Sequence, residues 1–538
     1  MTNAAGGWNL AEMWERHAAR QPEAIAQRQG ERSFSWSEFD ARANSLANHL
    51  LAAGLGHQAK VAQYLFNCPE YMDSMFAIMK AGMIPVNTNY RYAGEELVYL
   101  FTDADAEAVI FHSSFADKCS DIRDKCPSIR TWICVENGDG NCPEWADAYE
   151  DIVKQQWDQV IPHWGRSPDD LYFIYTGGTT GPPKGVMWRQ DDLIGSLDNS
   201  SASPLPTTPG WQEFDRRFFK PGPRHLAAAP LMHGTGSVNA IWALTIGGSV
   251  TTAVRRSFDP VEILDLIESN RINSISIVGD VFAKPLVEQL DKGSWNLSSL
   301  RVVVSSGVMW SASTKARLLR HCPGVILLDS LGSSEAIGMA SNSYSERAPT
   351  TQTPQFLLGP DSIVIAEDGS EVEPGSGRQG MVAIRGRMPV GYYKDAEKTA
   401  ATFIERDGVR WSVPGDWAEV NADGSIHLFG RGSQCINSGG EKVYPEEVEE
   451  VLKRHPTVSD AAVIGVSDPD YGEVVTAIVE PSTESRIDNE VLDGYMRQSL
   501  AGYKIPKTYM IVDSLGRGAN GKLDRPKLKV MMEEFRHE

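Results

Sequence analysis

The sequence predicts an α/β protein with at least two domains, and two observations carry that prediction. Apolar runs at 61–66, 108–112 and 302–305 alternate with segments of helical periodicity such as 69–82. Such alternation is typical of a largely parallel sheet flanked by helices. The chain has 538 residues, more than one hydrophobic core usually supports, so we expect separate cores along the chain.

The N-terminal region predicts helices around one short extended piece. Residues 9–14 have helical spacing, and residues 33–37 alternate between polar and aromatic side chains as a strand does. Ser37 is positioned to cap the helix that follows. Further along the chain, apolar runs predict strands at 131–135, 171–174 and 325–328.

Composition changes mark one surface segment and one domain boundary. Residues 201–225 are rich in Pro, Gly and Ser and predict an excursion over the surface, mostly without regular structure. The glycines near 430 predict a boundary that gives domains of residues 1–431 and 432–538. In the second domain, acidic residues after Pro445 predict a helix start, and two apolar runs predict strands of a small α+β unit.

The bulk composition excludes several classes of protein. The net charge is −20, which argues against general binding to nucleic acid or to anionic membranes. Seven cysteines without CxxC spacing predict reduced thiols rather than a disulfide framework or a zinc ribbon. The sequence shows no signal peptide and no apolar run long enough for a transmembrane helix, so a cytoplasmic location is expected.

A Gly- and Thr-rich loop after the strand at 171–174 is the most informative feature of the sequence. Residues 175–186 contain four glycines, three threonines and one lysine. Glycines let backbone N–H groups approach an anion, and the hydroxyls and the ammonium add donors and charge. The loop is not a Walker A motif, because Pro183 precedes Lys184 and Gly185 follows it. Its chemistry suits a polyphosphate, although a plain surface loop can have a similar composition. The candidate phosphate ligands are Thr176, Gly177, Gly178, Thr179, Thr180, Gly181 and Lys184.

The loop resembles the phosphate-binding loop of the adenylate-forming superfamily, which includes acyl-CoA synthetases, luciferases and the adenylation domains of peptide synthetases. Further motifs follow in the family's order as far as Lys522, so the resemblance covers nearly the whole chain. It implies a large N-terminal domain of α/β subdomains with a β-barrel-like part, and a small mobile α+β C-terminal domain. It also implies ATP, Mg²⁺ and coenzyme A (CoA) as cofactors.

Two segments resemble the family's adenine- and metal-binding motifs. The segment after the strand at 302–305 resembles the strand end that contacts adenine, at a place where α/β folds usually bind ligands. Residues 329–335 fit the pattern aromatic-Gly-x-Thr-Glu except that Leu331 replaces the aromatic residue. The resemblance implies that Glu335 is a catalytic residue and holds Mg²⁺, which needs only one or two protein oxygens. The implied cofactor ligands here are Ser306, Gly307, Val308, Asp329, Ser330, Leu331, Gly332 and Ser334.

The C-terminal motifs resemble the ribose-, thiol- and carboxylate-handling parts of the family. Asp416 and Arg431 match the ribose-binding positions, and Gly439 and Gly440 match a loop beside the path of the CoA thiol. Lys522 matches the catalytic lysine of adenylation, whose ammonium can bridge the attacking carboxylate and the α-phosphate.

The motifs say least about the carboxylic acid that would be the substrate. The resemblance implies that His233 is a catalytic and acyl-binding residue, and the other candidate pocket residues are small or apolar, namely Gly236, Gly279, Phe282, Gly338 and Met339. Such residues suit a hydrophobic acyl chain. The motifs resemble those of fatty-acid and sterol-acid synthetases, which implies a fatty acid or a sterol side-chain acid, and aryl or alicyclic acids stay open. Two other functions stay open as well: an enzyme that loads a carrier protein, and a nucleotide-binding protein without catalysis. The resemblance also implies a homodimer, because contacts between N-terminal domains often pair such enzymes.

Overall fold

The computed structural model describes residues 6–136, 140–155, 157, 159–176, 182–199, 201, 204–308, 310–346, 355–438, 441–468, 472–482, 487–498, 500–518 and 521–537. The chain packs as two compact units. The first comprises Met1–Thr353 and Arg385–Ser412, and the second comprises Pro354–Ile384 and Val413–Glu538. The boundary predicted after residue 431 falls inside the second unit and stays a prediction.

The first unit contains two sheets whose strands are mostly parallel. One sheet has the strand order Arg32–Ser35, Ile25–Gln29, Ser249–Thr252, Arg224–Ala227, Ser274–Ile277, Val302–Ser306, Ile326–Ser333 and Ala336–Tyr344. The other has the order Gly391–Tyr392, Lys184–Arg189, Leu171–Thr176, Ile84–Asn87, Lys60–Tyr64, Ala106–His112, Thr131–Val135 and Asp147–Ala148. Phe403–Arg406 and Val409–Ser412 form an antiparallel hairpin.

Helices connect these strands, as parallel pairing requires. The α-helices of the first unit are Leu10–Arg20, Trp36–Ala52, Pro69–Lys80, Glu95–Asp103, Ala116–Ile122, Tyr149–Val153, Gln190–Asp198, Trp211–Arg217, Gly234–Thr245, Pro260–Ser269, Gly279–Leu290, Ala312–His321 and Ala396–Thr402. Every residue of Pro69–Lys80 is buried, including Lys80, whose ammonium lies 2.5 Å from a Glu15 carboxylate oxygen. This helix is central to the core, and its charge is paired as buried charges must be.

The second unit has two sheets and three α-helices among its described residues. The strands Gln355–Leu358, Ser425–Arg431, Asp416–Val420, Gln379–Arg385 and Ser362–Ile365 pair antiparallel in this order. The other sheet contains Glu441–Val443, Ile436–Ser438, Gly472–Pro481 and Val458–Asp468, with Thr508–Ile511 parallel to Gly472–Pro481. The helices are Pro445–Lys453, Asn489–Met496 and Arg525–His537.

Several sequence-based expectations are corrected here. Ser35, and not Ser37, caps the helix Trp36–Ala52, because Glu38 completes a capping box with Ser35. The segment 201–225 contains the helix Trp211–Arg217, whose Phe214 packs against Trp8 in the core. Strand Ile326–Ser333 continues past the predicted apolar run, because it pairs with Ala336–Tyr344 in a hairpin.

The cysteines differ from the expectation of reduced thiols at one pair. Cys134 and Cys142 form a disulfide with a Cα–Cα distance of 5.6 Å. Cys134 lies in strand Thr131–Val135, and the chain returns beside that strand eight residues later. In the part of the chain that the structure describes, no helix has the length and hydropathy needed to span a bilayer.

Candidate active site

The two ends of the predicted phosphate loop are held together by strand pairing. Leu171–Thr176 runs antiparallel to Lys184–Arg189, and Thr176 lies directly opposite Lys184. The predicted ligands Gly177 to Gly181 lie outside the described residues. The structure thus brings the predicted ligands Thr176 and Lys184 together, one at each end of the predicted loop.

Lys184 provides a stable positive charge at this position. Its side chain is about a quarter exposed, and its ammonium lies 3.7 Å from a carboxylate oxygen of Asp395. Burial opposes the charge, but Tyr99, Asp103 and Asp395 outweigh it and raise the pKa of Lys184. The side chain is thus an ammonium at neutral pH, and it can face a phosphate group.

A buried asparagine joins the phosphate-loop strand to the segment that carries His233. The Asn87 amide donates to the carbonyl oxygens of Tyr175 (2.9 Å) and Met232 (2.7 Å), and its oxygen accepts from the Tyr175 N–H. Asn67 holds the same segment further upstream, donating to the carbonyl oxygens of Ala227 and Ala229. The sequence analysis missed both asparagines, although Asn67 directly follows a predicted strand and Asn87 ends an observed one.

His233 stands at the start of a helix rather than in a free turn. It is the N-cap residue of Gly234–Thr245, and its carbonyl oxygen accepts from the Ser237 N–H at 3.0 Å. Gly236 is required here, because a Cβ atom would lie 2.2 Å from the carbonyl oxygen of Pro230. Close backbone packing therefore fixes the first turn of this helix beside the strand that precedes it.

The predicted adenine segment meets two predicted acyl-pocket segments. The Ser305 hydroxyl, next to Ser306 at the end of its strand, accepts from the Gly279 N–H at 2.9 Å. Gly307 has a φ of +91°, and a Cβ atom on it would lie 3.8 Å from Thr235. Val308 packs partly buried on the neighbouring core. The structure thus brings the turn after Ser306 close to the first turns of two helices, Gly234–Thr245 and Gly279–Leu290.

Two other predicted acyl-pocket residues lie deep in the protein. Phe282 is 4% exposed and packs its ring on Phe258, with ring centroids 4.5 Å apart. Met339 is fully buried. Gly338 beside it has a φ of +76° and open space where a Cβ atom would be. The acyl-binding roles of Phe282, Gly338 and Met339 stay predictions.

Glu335 is held by three hydrogen bonds to its hairpin turn. Trp188 Nε1 donates to the carbonyl oxygen of Ser334 at 2.8 Å, and the Ser412 hydroxyl donates to that of Glu335 at 2.7 Å. The Tyr392 hydroxyl donates to Glu335 Oε1 at 2.6 Å. The side chain is only 8% exposed, so its direction is set by the fold.

This single carboxylate fits the predicted metal role. Within the described ranges, no group of three or more His, Cys, Asp or Glu side chains could hold a metal ion by itself. Mg²⁺ is commonly held by one or two carboxylates together with substrate phosphates. The donor set therefore suits an Mg²⁺ ion that binds together with a nucleotide.

Asp329 has a buried partner of its own. Lys315 Nζ lies 2.7 Å from Asp329 Oδ2 and 4.0 Å from the ring centroid of Tyr344. Burial raises the pKa of Asp329, and Lys315 only partly opposes this effect. Ser330 and Leu331 pair in the hairpin with Ser341 and Ala340, and Gly332 lies near the turn. The cofactor-binding roles of these residues stay predictions.

In the second unit, the structure places the two predicted ribose ligands side by side. Asp416 begins a strand and lies opposite Arg431, which ends the neighbouring strand. Arg431 Nε is 3.6 Å from Asp416 Oδ1. Gly439 and Gly440 lie outside the described residues.

Lys522 follows a tight turn of the second unit and has an exposed side chain. The Gly518 N–H donates to the carbonyl oxygen of Lys522 at 2.8 Å, and the Gly521 N–H donates to that of Gly518 at 2.9 Å. Gly521 has a φ of +70°, which a residue with a side chain adopts rarely. Backbone geometry therefore presents the lysine at the end of this turn.

Comparison with known families covers both units. Residues 14–393 match the family described as AMP-binding enzyme, and residues 447–522 match the AMP-binding enzyme C-terminal domain. A medium/long-chain-fatty-acid–CoA/3-oxocholest-4-en-26-oate–CoA ligase of Mycolicibacterium smegmatis is 37% identical over 98% of this chain and 97% of its own length. A 3-oxocholest-4-en-26-oate–CoA ligase of Rhodococcus rhodochrous is also 37% identical, over 96% and 94% of the two chains.

Solved structures share the fold. The anthranilate CoA ligase AuaEII in complex with anthranoyl-AMP superposes with a TM-score of 0.83, covering 99% of both chains at 23% identity. ATP-bound MatB from Rhodopseudomonas palustris superposes with a TM-score of 0.80, covering 98% of this chain and 99% of its own at 26% identity. The predicted architecture of a large α/β unit and a smaller α+β unit is thereby confirmed.

Proposed function

The chain belongs to the AMP-binding enzyme family, and we propose that it is an ATP-dependent ligase that joins a hydrophobic carboxylic acid to CoA. One observation carries the proposal: the chain resembles CoA ligases along nearly its whole length. The buried, hydrogen-bonded Glu335 carboxylate in its hairpin turn supports it. AMP and pyrophosphate are the other products.

The first half-reaction forms an acyl-adenylate. The substrate carboxylate attacks the α-phosphorus of ATP, and pyrophosphate leaves. Lys184 and the loop after Thr176 would bind the phosphates, and Asp416 and Arg431 would bind the ribose. The Lys522 ammonium would draw the carboxylate and the α-phosphate together and stabilise the charge of the transition state. Mg²⁺, held by Glu335 when bound, would neutralise phosphate charge.

The second half-reaction transfers the acyl group. The CoA sulfur attacks the acyl carbon, the carbon–oxygen bond to phosphate breaks, and AMP leaves. We propose that Lys522 acts only in the first half-reaction and that the loop at Gly439 and Gly440 serves the second. Positioning and electrostatics then supply the catalysis, without a covalent intermediate on the protein.

The proposed acid is a fatty acid or a sterol side-chain acid. The names of the relatives from Mycolicibacterium smegmatis and Rhodococcus rhodochrous support this class. Gly307, whose missing Cβ atom would lie 3.8 Å from Thr235, leaves backbone rather than bulk beside the first turn of helix Gly234–Thr245.

Identification of the products formed from a panel of acids tests the proposal. The enzyme is incubated with ATP, Mg²⁺, CoA and a panel of short, long, aryl and sterol acids, and products are identified by mass spectrometry. We expect the CoA thioester of a long-chain or sterol acid. Acyl-AMP without a thioester would indicate carrier loading instead, and absence of turnover with every acid would contradict the ligase.

The variant Lys522→Ala tests the assigned lysine. We expect adenylation to fall by about 100- to 1,000-fold, the loss seen when one transition-state donor is removed. Thioester formation from supplied acyl-adenylate should stay near the wild-type rate. Lys527→Ala, which removes an exposed lysine of the following helix, is the matched control. Equal loss of both half-reactions in Lys522→Ala would refute the role.

A further inference from the structure

The turn before Lys522 is fastened to the second unit by one buried arginine. Arg517 Nη1 donates to the carbonyl oxygen of Gly521 at 2.8 Å, directly before the lysine. The Arg517 side chain is only 13% exposed. Leu515 and Leu523 pack on a core cluster on either side of this turn. The guanidinium adds a polar link to the backbone directly before Lys522.

Asp460 fixes the arginine in turn. Its two carboxylate oxygens accept from Arg517 Nε at 2.5 Å and from Nη2 at 2.9 Å, a bidentate pairing. Asp460 lies in strand Val458–Asp468 and also accepts from the Ala461 N–H at 2.8 Å. Burial opposes its charge, but Arg517 and Lys453 outweigh it and hold the pKa of Asp460 well below its usual range. The carboxylate therefore stays charged wherever the enzyme is folded at neutral pH.

The geometry joins a sheet strand to the lysine through three consecutive links. Strand Val458–Asp468 holds Asp460, Asp460 holds the guanidinium of Arg517, and the guanidinium holds the carbonyl oxygen of Gly521. A planar guanidinium can make the two-oxygen contact and the carbonyl contact at once, which an ammonium cannot do in the same geometry. The backbone position from which the Lys522 side chain extends is thus tied to strand Val458–Asp468.

We infer that Arg517 is a positioning residue for Lys522, acting through the Gly521 carbonyl and held in place by Asp460. This inference rests on the adenylation role proposed for Lys522. It assigns to Arg517 no contact with substrate. Its effect is to keep the ammonium of a long, flexible side chain within reach of its target, so that less conformational freedom is lost in the transition state.

The test compares Arg517→Met with Lys504→Met. Lys504 pairs with Glu447 at 2.7 Å in the same unit, with side chains exposed by 18% and 20%. The corresponding exposures of Arg517 and Asp460 are 13% and 21%, so the two variants each break an ion pair of similar burial. Pyrophosphate release and thioester formation from supplied acyl-adenylate are measured separately for both variants, and thermal melting is recorded.

We expect Arg517→Met to slow adenylation by about 10- to 100-fold, the cost of a misplacement of about 1 Å. Thioester formation should change by less than about two- to threefold, and Lys504→Met should leave both rates near the wild type. Arg517→Lys, which keeps the charge and loses the fork, should slow adenylation to a smaller degree with the acid KM unchanged. If Arg517→Met does not fold, Arg517→Lys and Asp460→Asn test the positioning role instead. For each of them, the loss in adenylation rate is compared with the loss in thioester-formation rate.

Equal loss of both half-reactions in these variants, or no loss in either, overturns the inference. Lys522→Ala is measured in parallel, so that a failure of the positioning inference can be told from a failure of the proposed function. If Lys522→Ala loses adenylation selectively and the Arg517 variants do not, only the positioning role is wrong. If Lys522→Ala loses neither or both half-reactions, the role of the lysine itself is wrong.

Discussion

Replacing Lys315 by Met tests whether Asp329 is a structural carboxylate. The two side chains are 2% and 10% exposed, and their charged atoms are 2.7 Å apart. At 2.7 Å the attraction is about 6 kcal/mol for an effective dielectric constant of about 20. Desolvation of the two ions opposes it by several kcal/mol each. The raised pKa of Asp329 indicates that burial outweighs Lys315, so the intact pair adds little net stability.

Loss of the lysine alone should be costly, because the carboxylate is then buried without its cation. We expect Lys315→Met to lower the free energy of unfolding by about 3–5 kcal/mol. With an unfolding entropy of about 2.1 cal/mol/K per residue, summed over the first unit, which contains both side chains, the melting temperature should fall by roughly 4–6 °C. The double variant Lys315→Met with Asp329→Leu should recover most of that loss, since an apolar pair can replace a buried ion pair.

Scanning calorimetry and the KM for ATP provide the assay. We expect the double variant to melt near the wild type and to keep its KM for ATP within about twofold, since a structural carboxylate adds no contact to the nucleotide. A double variant as unstable as Lys315→Met would refute the desolvation argument. A recovered melting temperature with a much higher KM for ATP would show that Asp329 binds the nucleotide.

Two further predictions concern close packing and pH. Gly236→Ala should lower the free energy of unfolding by about 1–3 kcal/mol, because the new Cβ atom meets the Pro230 carbonyl oxygen. The control Gly234→Ala should not, because no atom lies within 4 Å of its Cβ position. Equal melting temperatures of the two variants would contradict the packing argument. Burial raises the pKa of Glu446 from near 4.5 to about 7, opposed by Arg525 and reinforced by Glu449. A raised carboxyl pKa contributes stability that is present below about pH 4.5 and is lost as pH rises through about 7. The melting temperature of Glu446→Gln should therefore exceed that of the wild type by a margin that widens from about pH 5 to pH 8, and a constant margin would rule out this titration.

Local patterns predicted many elements correctly, because hydrophobic periodicity is a property of neighbouring residues. The strand predicted at 131–135 is observed as Thr131–Val135, and the helix predicted from residue 69 is observed as Pro69–Lys80. The helix predicted after Tyr444 begins at Pro445, a residue suited to a first helical position. The fold class and the family followed from the same kind of local evidence.

The errors arose where contacts distant in sequence decide the conformation. Trp211–Arg217 lies in a Pro-rich segment, yet it is helical because Phe214 packs against Trp8 and His17. The Cys134–Cys142 disulfide forms because the chain brings Cys142 back beside Cys134, which the spacing of the cysteines in the sequence did not predict. The misplaced helix cap is different in kind, since Glu38 three residues after Ser35 was visible in the sequence.

By itself, the sequence determined which chemical groups are available and in what order: a Gly- and Thr-rich loop ending at Lys184, the carboxylates of Glu335 and Asp416, the guanidinium of Arg431, and Lys522 near the C-terminus. The tertiary structure alone decided which polar groups already have partners. It gave Glu335 the Tyr392 hydroxyl, Asp329 the buried Lys315, and the turn before Lys522 the guanidinium of Arg517. The physical reason is that a buried polar group must be paired, and its partner is set by packing across the fold rather than by neighbours in the chain.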